Sequence, residues 1–214
     1  KDKFGIFSNF ANWSRFYITD LYPEIEKGLY LDLDIVFNKN IDNIFKQELN
    51  DKLISVIPEK NRKIGNKLYI SKNLKKYIKN EALPFPKDFE KEKKNLKENY
   101  LNKINISFED LYKNSYNCGV ILFNLKLWKL QNISSKIIDF LNYQVSKKQL
   151  LCRGGTQTIM NLIVNDYEIL KDKYNVIYND KDINKIKKKS AIIHFKGIDS
   201  YDKMNNFITI VTKI

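Results

Sequence analysis

A chain of 214 residues with 43% hydrophobic content is long enough for one domain with a real core. No uninterrupted apolar run approaches the roughly 18 residues of a membrane-spanning helix, and Cys118 and Cys152 have no C-x-x-C spacing and give no disulfide framework. A formal charge of +13 raises nucleic acid or an anionic surface as a partner, but the excess is concentrated, with 14 Lys/Arg against 6 Asp/Glu between Glu59 and Ile104, and no basic-aromatic stacking motif accompanies it. Nucleic acid is therefore not the expected partner. Peripheral contact with an anionic membrane stays open, as does the plain alternative that abundant Lys, Asn and Ile reflect an AT-biased coding sequence.

In chain order, Trp13, Phe16, Tyr17 and Leu21 follow a helical spacing over 12–22, closed by Pro23 and Gly28. Leu29 to Leu33 reads as a buried strand, with Ile35-Val36-Phe37 continuing apolar beyond it, Asn38-Lys39-Asn40 as a turn, and Ile41, Ile44 and Phe45 opening a brief helix. Ser55-Val56-Ile57-Pro58 reads as a strand stopped by its proline. The segment 59–104 is expected to be a basic surface insertion of mobile helices and loops. Val120 to Phe123 is strand-like, and a helix follows from Leu125 through Tyr143, with Trp128 in the core. A further helix covers Thr156 to Val164, and two late strands cover Tyr174 to Tyr178 and Ser190 to Phe195. Alternation of strands and helices predicts an α/β domain with a mostly parallel sheet flanked by helices.

The chemistry gathers at Asp32 and Asp34, which lie two apart at the end of an apolar run, where carboxylates reach the mouth of an open α/β sheet. On an extended chain both face the same way, while Leu33 turns into the core. The only histidine, His194, ends the last predicted strand. Two oxygen ligands favour Mg²⁺ or Mn²⁺, and one added imidazole shifts the balance toward Mn²⁺. By themselves the acidic pair could equally cap a helix and the histidine could be structural.

Five ordered segments resemble the nucleotide-sugar glycosyltransferases of family eight, the group that includes glycogenin and bacterial lipopolysaccharide galactosyltransferases. They are Ser14-Arg15-Phe16-Tyr17-Ile18, the Asp-x-Asp strand Leu29 to Phe37, Tyr116 to Leu125 with Trp128, Gly155 to Asn161, and His194-Phe195-Lys196-Gly197. The resemblance implies a GT-A-like nucleotide-diphospho-sugar transferase fold and a retaining hexosyltransferase that uses Mn²⁺ or Mg²⁺. Its substrates would be a nucleotide-sugar donor, with UDP expected, and a glycan or lipid-linked saccharide acceptor. By the same resemblance Asp32, Asp34 and His194 are metal ligands. Arg15, Asp32, Asn117, Gly119, Gln157, Lys196 and Gly197 bind the donor, and Gln157 and Asp34 are the catalytic groups. Gln157 would lie beside the anomeric carbon, either as nucleophile or as a bystander to a same-face ion-pair mechanism.

The chain departs from the family pattern at Thr156, where an aspartate is usual, and at Ser200, where a lysine is usual; Lys196 or Lys203 could serve the diphosphate instead. These departures keep a second reading open, a catalytically inactive sugar-nucleotide or glycan-binding protein of the same fold. The resemblance places the family's opening strand and uridine-binding loop before Lys1, so residues 1–214 are expected to be one glycosyltransferase domain lacking those strands. Its compartment would be the cytoplasm or membrane periphery in a bacterium and the secretory pathway in a eukaryote.

Overall fold

The computed structural model describes residues 10–80, 84, 87–148, 150–152, 155–178, 183–196, 201–205 and 208. The helical spacing over 12–22 resolves into a 3-10 segment, Phe10–Phe16, and a short α1 (Ile18–Leu21). Trp13 and Phe16 are both buried and meet edge to face at 5.5 Å. Next come β1 (Lys27–Leu31), a bend at residues 33 and 34, and β2 (Ile35–Phe37). Leu33, expected in the core, is 82% exposed. The bend breaks the strict alternation of an extended strand, so parity fails at that residue.

A 3-10 turn at Asp42–Ile44 leads to β3 (Ile54–Val56), every residue of which is buried. Pro58, read as a stop, instead opens β4 (Pro58–Lys63), a first-residue position where a missing N–H costs nothing to the ladder. Two helices follow, α2 (Lys72–Lys79), capped by Ser71 through the Leu74 N–H at 3.1 Å, and α3 (Phe89–Asn99). Most of their lysines are exposed, while Leu74, Ile78, Phe89 and Leu96 are buried in the main hydrophobic cluster. The basic segment is thus anchored to the core along its apolar positions.

The chain continues through β5 (Asn114–Tyr116) and the buried β6 (Val120–Asn124) into α4 (Leu125–Leu130), whose first turn is capped by Asn124 accepting from Leu127 N–H at 3.0 Å. The single helix expected through Tyr143 is broken at Asn132, which sits at φ 52 between α4 and α5 (Ile133–Ser146). Asparagine tolerates this left-handed geometry better than most residues. Trp128 is fully buried and donates to Ser134 Oγ at 3.0 Å, a core role. Then follow α6 (Thr156–Ile163), β7 (Glu168–Ile169), β8 (Val176–Ile177), α7 (Ile183–Lys189) and β9 (Ile192–His194). Among the described residues no helix is long and apolar enough to cross a membrane.

These strands form three sheets. The largest has the order β1-β6-β3-β7, with β6 antiparallel to both neighbours and β7 parallel to β3. The second has the order β2-β9-β8, antiparallel then parallel, and β4 pairs antiparallel with β5. The α/β class holds, while pairing among the described strands is mainly antiparallel in place of the mostly parallel sheet expected. Alternation predicts parallel pairing only if each helix crosses between neighbouring strands. Here α2 and α3 form an excursion that leaves along β4 and returns along β5.

Candidate functional site

Two ladders deliver the acidic pair. The Asp32 amide donates to the Gly119 carbonyl at 2.8 Å, extending the β1/β6 pairing, and the Phe195 amide donates to the Asp34 carbonyl at 2.8 Å, beside the Ile35–His194 register pair. The carboxylates therefore sit where the chain crosses from the four-stranded to the three-stranded sheet. One ligand atom from each of Asp32, Asp34 and His194 lies within 4.8 Å of the other two. His194 Nε2 is 3.2 Å from Asp34 Oδ1 and 3.9 Å from Asp32 Oδ2.

Asp32 and His194 are held in place by their neighbours. Tyr30 donates its hydroxyl to Asp32 Oδ1 at 3.0 Å, and Arg15 Nη2 donates to the same oxygen at 3.3 Å and to the Tyr30 hydroxyl at 2.9 Å. Arg15 is 3% exposed, lies over the Tyr30 ring at 4.4 Å, and reaches the Cys118 carbonyl at 3.2 Å. Burial pushes the Tyr30 phenol up to about 12, so it stays a donor. With Oδ1 engaged, Asp32 turns Oδ2 toward the histidine. Burial holds His194 below its ordinary value, outweighing the pull of Asp34 and Asp32, and so favours the neutral imidazole that metals take. Gly119 makes room for it: a Cβ there would fall on His194 Cε1 and stand 2.6 Å from Nδ1. Two carboxylate oxygens and one neutral imidazole nitrogen, converging at this spacing, form a donor set that fits a divalent Mg²⁺ or Mn²⁺ ion.

Adjoining this cluster is a set of amides. Asn117 Oδ1 accepts from Gly119 N–H at 2.8 Å, and Asn117 Nδ2 donates to Gln157 Oε1 at 3.4 Å, which also receives the Cys118 N–H at 3.4 Å. Asn161 clamps the strand behind them, accepting from Tyr116 N–H at 2.6 Å and donating to Tyr116 O at 3.0 Å. Gln157 stands in the first turn of α6, entered through Gly155 at φ +72. Thr156, at the position of the family's aspartate, is buried.

The structure thus brings Arg15, Asp32, Asp34, Asn117, Gly119, Gln157 and His194 into one neighbourhood. Lys196 stands at its edge, 43% exposed and 3.7 Å from Glu59. Gly197 and Ser200 lie outside the described residues. Three participants are not apparent from the sequence pattern. Tyr30 had a usable signal, because it is two residues from Asp32 on the same strand face. Asn175, whose Oδ1 is 3.0 Å from His194 Nδ1, had none. Nor did Glu59, which gathers Lys67 at 2.6 Å, Ser115 at 2.9 Å and Arg62 at 3.2 Å. Burial alone would raise the Glu59 carboxyl, but Lys67, Ser115 and Lys196 hold it below the usual range.

Solved structures of GT-A-type glycosyltransferases share this fold. The bifunctional glycosyltransferase WbbM aligns with TM-score 0.56 at 18% identity, covering 94% of this chain and 35% of that one. The galactosyltransferase LgtC, solved with donor and acceptor sugar analogues, aligns with TM-score 0.51 at 14% identity, covering 96% and 68%. The chain belongs to glycosyl transferase family 8, whose profile matches residues 6–199. It is similar to glycosyltransferase GlyA of Streptococcus pneumoniae serotype 4 (24% identity over 149 residues, 70% of this chain) and to a putative glycosyltransferase of Haemophilus influenzae (22% over 183 residues, 85% of this chain). The chain spans 14% and 43% of the lengths of those two relatives.

Proposed function

We propose that the chain transfers a hexose from a nucleotide diphosphate sugar, with UDP as the nucleotide, to a hydroxyl of a glycan or lipid-linked saccharide, with retention of configuration. The observation that carries this reading is the convergence of Asp32, Asp34 and His194 within 4.8 Å in a family 8 chain. A divalent ion held by these three residues would supply the Lewis acidity that offsets charge on the departing diphosphate. One imidazole in an otherwise oxygen donor set favours Mn²⁺ over Mg²⁺.

The chain's own groups do the rest. Arg15 and Tyr30 fix the Asp32 carboxylate, so little reorganisation is needed when the donor binds. Asn117 and Gln157 offer amides to the sugar hydroxyls and hold the anomeric carbon in line for the acceptor. Because Gln157 carries an amide, a poor nucleophile, departure and attack on the same face of the sugar account for retention better than a covalent intermediate does. Lys196, with Gly197, would meet the diphosphate. The exposed lysines of α2 and α3 add contact with anionic lipid to this proposal.

Incubation with UDP-sugars, a saccharide panel and Mn²⁺ should release UDP, and Asp34→Asn should slow that release by roughly 100-fold or more. Undiminished turnover in the variant would refute the reading. Buried Thr156, in place of the family's aspartate, favours one alternative, a binding protein that does not turn over. Calorimetric donor binding with no UDP release over the whole panel would select it.

A further inference from the structure

We infer that Asn175 is a positioning residue: its side-chain amide fixes His194 in the tautomer that turns the Nε2 lone pair toward Asp32 and Asp34, and ties that imidazole to Asn117 and Gln157. This deepens the metal-binding reading above and rests on it. Asn175 lies between a 3-10 turn and β8, is 7% exposed, and makes two contacts inside the site. Its Oδ1 stands 3.0 Å from His194 Nδ1, and its Nδ2 stands 3.1 Å from Asn117 Oδ1.

The polarity of this chain of groups follows from one backbone N–H. Gly119 N–H can only donate, and at 2.8 Å it makes the facing Asn117 atom an acceptor. The Asn175 atom on that same oxygen must then be its NH₂, because two carbonyl oxygens would repel. An amide has one oxygen and one nitrogen, so Asn175 necessarily presents Oδ1 to the histidine. His194 Nδ1 therefore carries a proton, and in the neutral ring Nε2, 3.2 Å from Asp34 Oδ1, is the lone-pair nitrogen. Remove the Asn175 oxygen and nothing holds the proton on Nδ1: the Asp34 carboxylate, 3.2 Å from Nε2, then draws it to that nitrogen and masks the ligand atom. The other side of Asn117 completes the connection, since its Nδ2 donates to Gln157 Oε1. A displacement of the ring is thus transmitted through two amides to the group nearest the sugar.

The sole histidine makes the test direct. In protein labelled with ¹⁵N-histidine at neutral pH and free of metal, the imidazole should show a pyrrole-type Nδ1 and a pyridine-type Nε2. Asn175→Leu should move the proton to Nε2 and weaken calorimetric binding of Mn²⁺ alone by roughly 10- to 100-fold. Asn175→Asp, which keeps an acceptor at Nδ1 but loses the donor to Asn117 Oδ1, should recover that binding in part. A role confined to folding would move both variants alike. A wild-type spectrum with the proton on Nε2 overturns the inference without any variant, and so does wild-type Mn²⁺ affinity in Asn175→Leu. If the wild-type tautomer is as stated but Mn²⁺ does not bind, the metal-binding reading falls and the tautomer assignment stands.

Discussion

The closest packing in the site is at Gly119, where the backbone carries Asp32 through its carbonyl, Asn117 through its amide, and the His194 ring against its α-carbon. In Gly119→Ala the new methyl would stand 2.6 Å from His194 Nδ1 and 2.9 Å from Asn117 Oδ1, so the ring has to leave its place. Mn²⁺ affinity should fall by roughly 10- to 100-fold, measured by titration calorimetry, while the circular dichroism spectrum stays that of the wild type. Retained affinity would show that the imidazole can shift and still bind. At this scale the sequence is most informative where a residue's chemistry is unusual. Two carboxylates at spacing two and a lone histidine become informative only beside the other ordered segments of the family pattern, because by themselves they could equally cap a helix or serve the core. Asn175 does not stand out, since asparagine is common in this chain and nothing in its neighbours distinguishes one that faces an imidazole. Leu33 defies its expected place for a related reason: alternation assumes an extended strand, and the segment between the two acids is a bend.

Among the elements, the break between α4 and α5 is the clearest departure from the apolar pattern. Hydrophobic positions continue across it in a manner compatible with one helix, but the left-handed Asn132 redirects the chain. Ser134, just past the turn, then receives the Trp128 indole N–H and bonds the Phe16 carbonyl, which fastens the junction to the segment that carries Arg15. Asn132→Gly should change stability little, whereas Asn132→Val should cost about 1–2 kcal/mol, read from urea unfolding midpoints. Equal midpoints for the two variants would mean that this backbone geometry is not strained for a branched residue. Periodicity locates the long apolar strand β6 and helix α6 closely, because both are buried and regular. It misses β5, β7 and α7, which are two to seven residues long and depend on their partners for stability more than on their own pattern.

Over the whole molecule, Glu59 joins parts that are far apart in sequence. It sits in β4, bonds Ser115 of β5, pairs with Lys67, which is 13% exposed, and reaches Lys196 just beyond β9. Glu59→Gln would leave the Lys67 ammonium without its counter-charge and should destabilise the fold by about 1–3 kcal/mol, less than for a fully buried pair because Lys196 and Arg62 are partly solvated. The folded chain holds this carboxyl below its ordinary value of 4.5, so on acidification the unfolded chain takes up the proton first. The stabilisation is therefore complete above about pH 4.5 and drains away as the pH falls through the lower folded value. Unfolding midpoints followed from neutral to acid pH should converge between wild type and Glu59→Gln, and a constant gap would contradict this assignment. None of this long-range pairing is legible in the sequence, because a charge-rich segment does not disclose which of its many lysines turns inward.

The outward-facing Leu33 gives the molecule an optical port. Both native thiols are enclosed, and burial drives Cys118 up to about 12 and Cys152 higher still, which leaves them sluggish toward alkylating dyes. A cysteine installed at position 33 would be the one reactive handle among the described residues, and a fluorophore attached there, one residue from each acid along the chain, should report ligand arrival at them as a change in brightness.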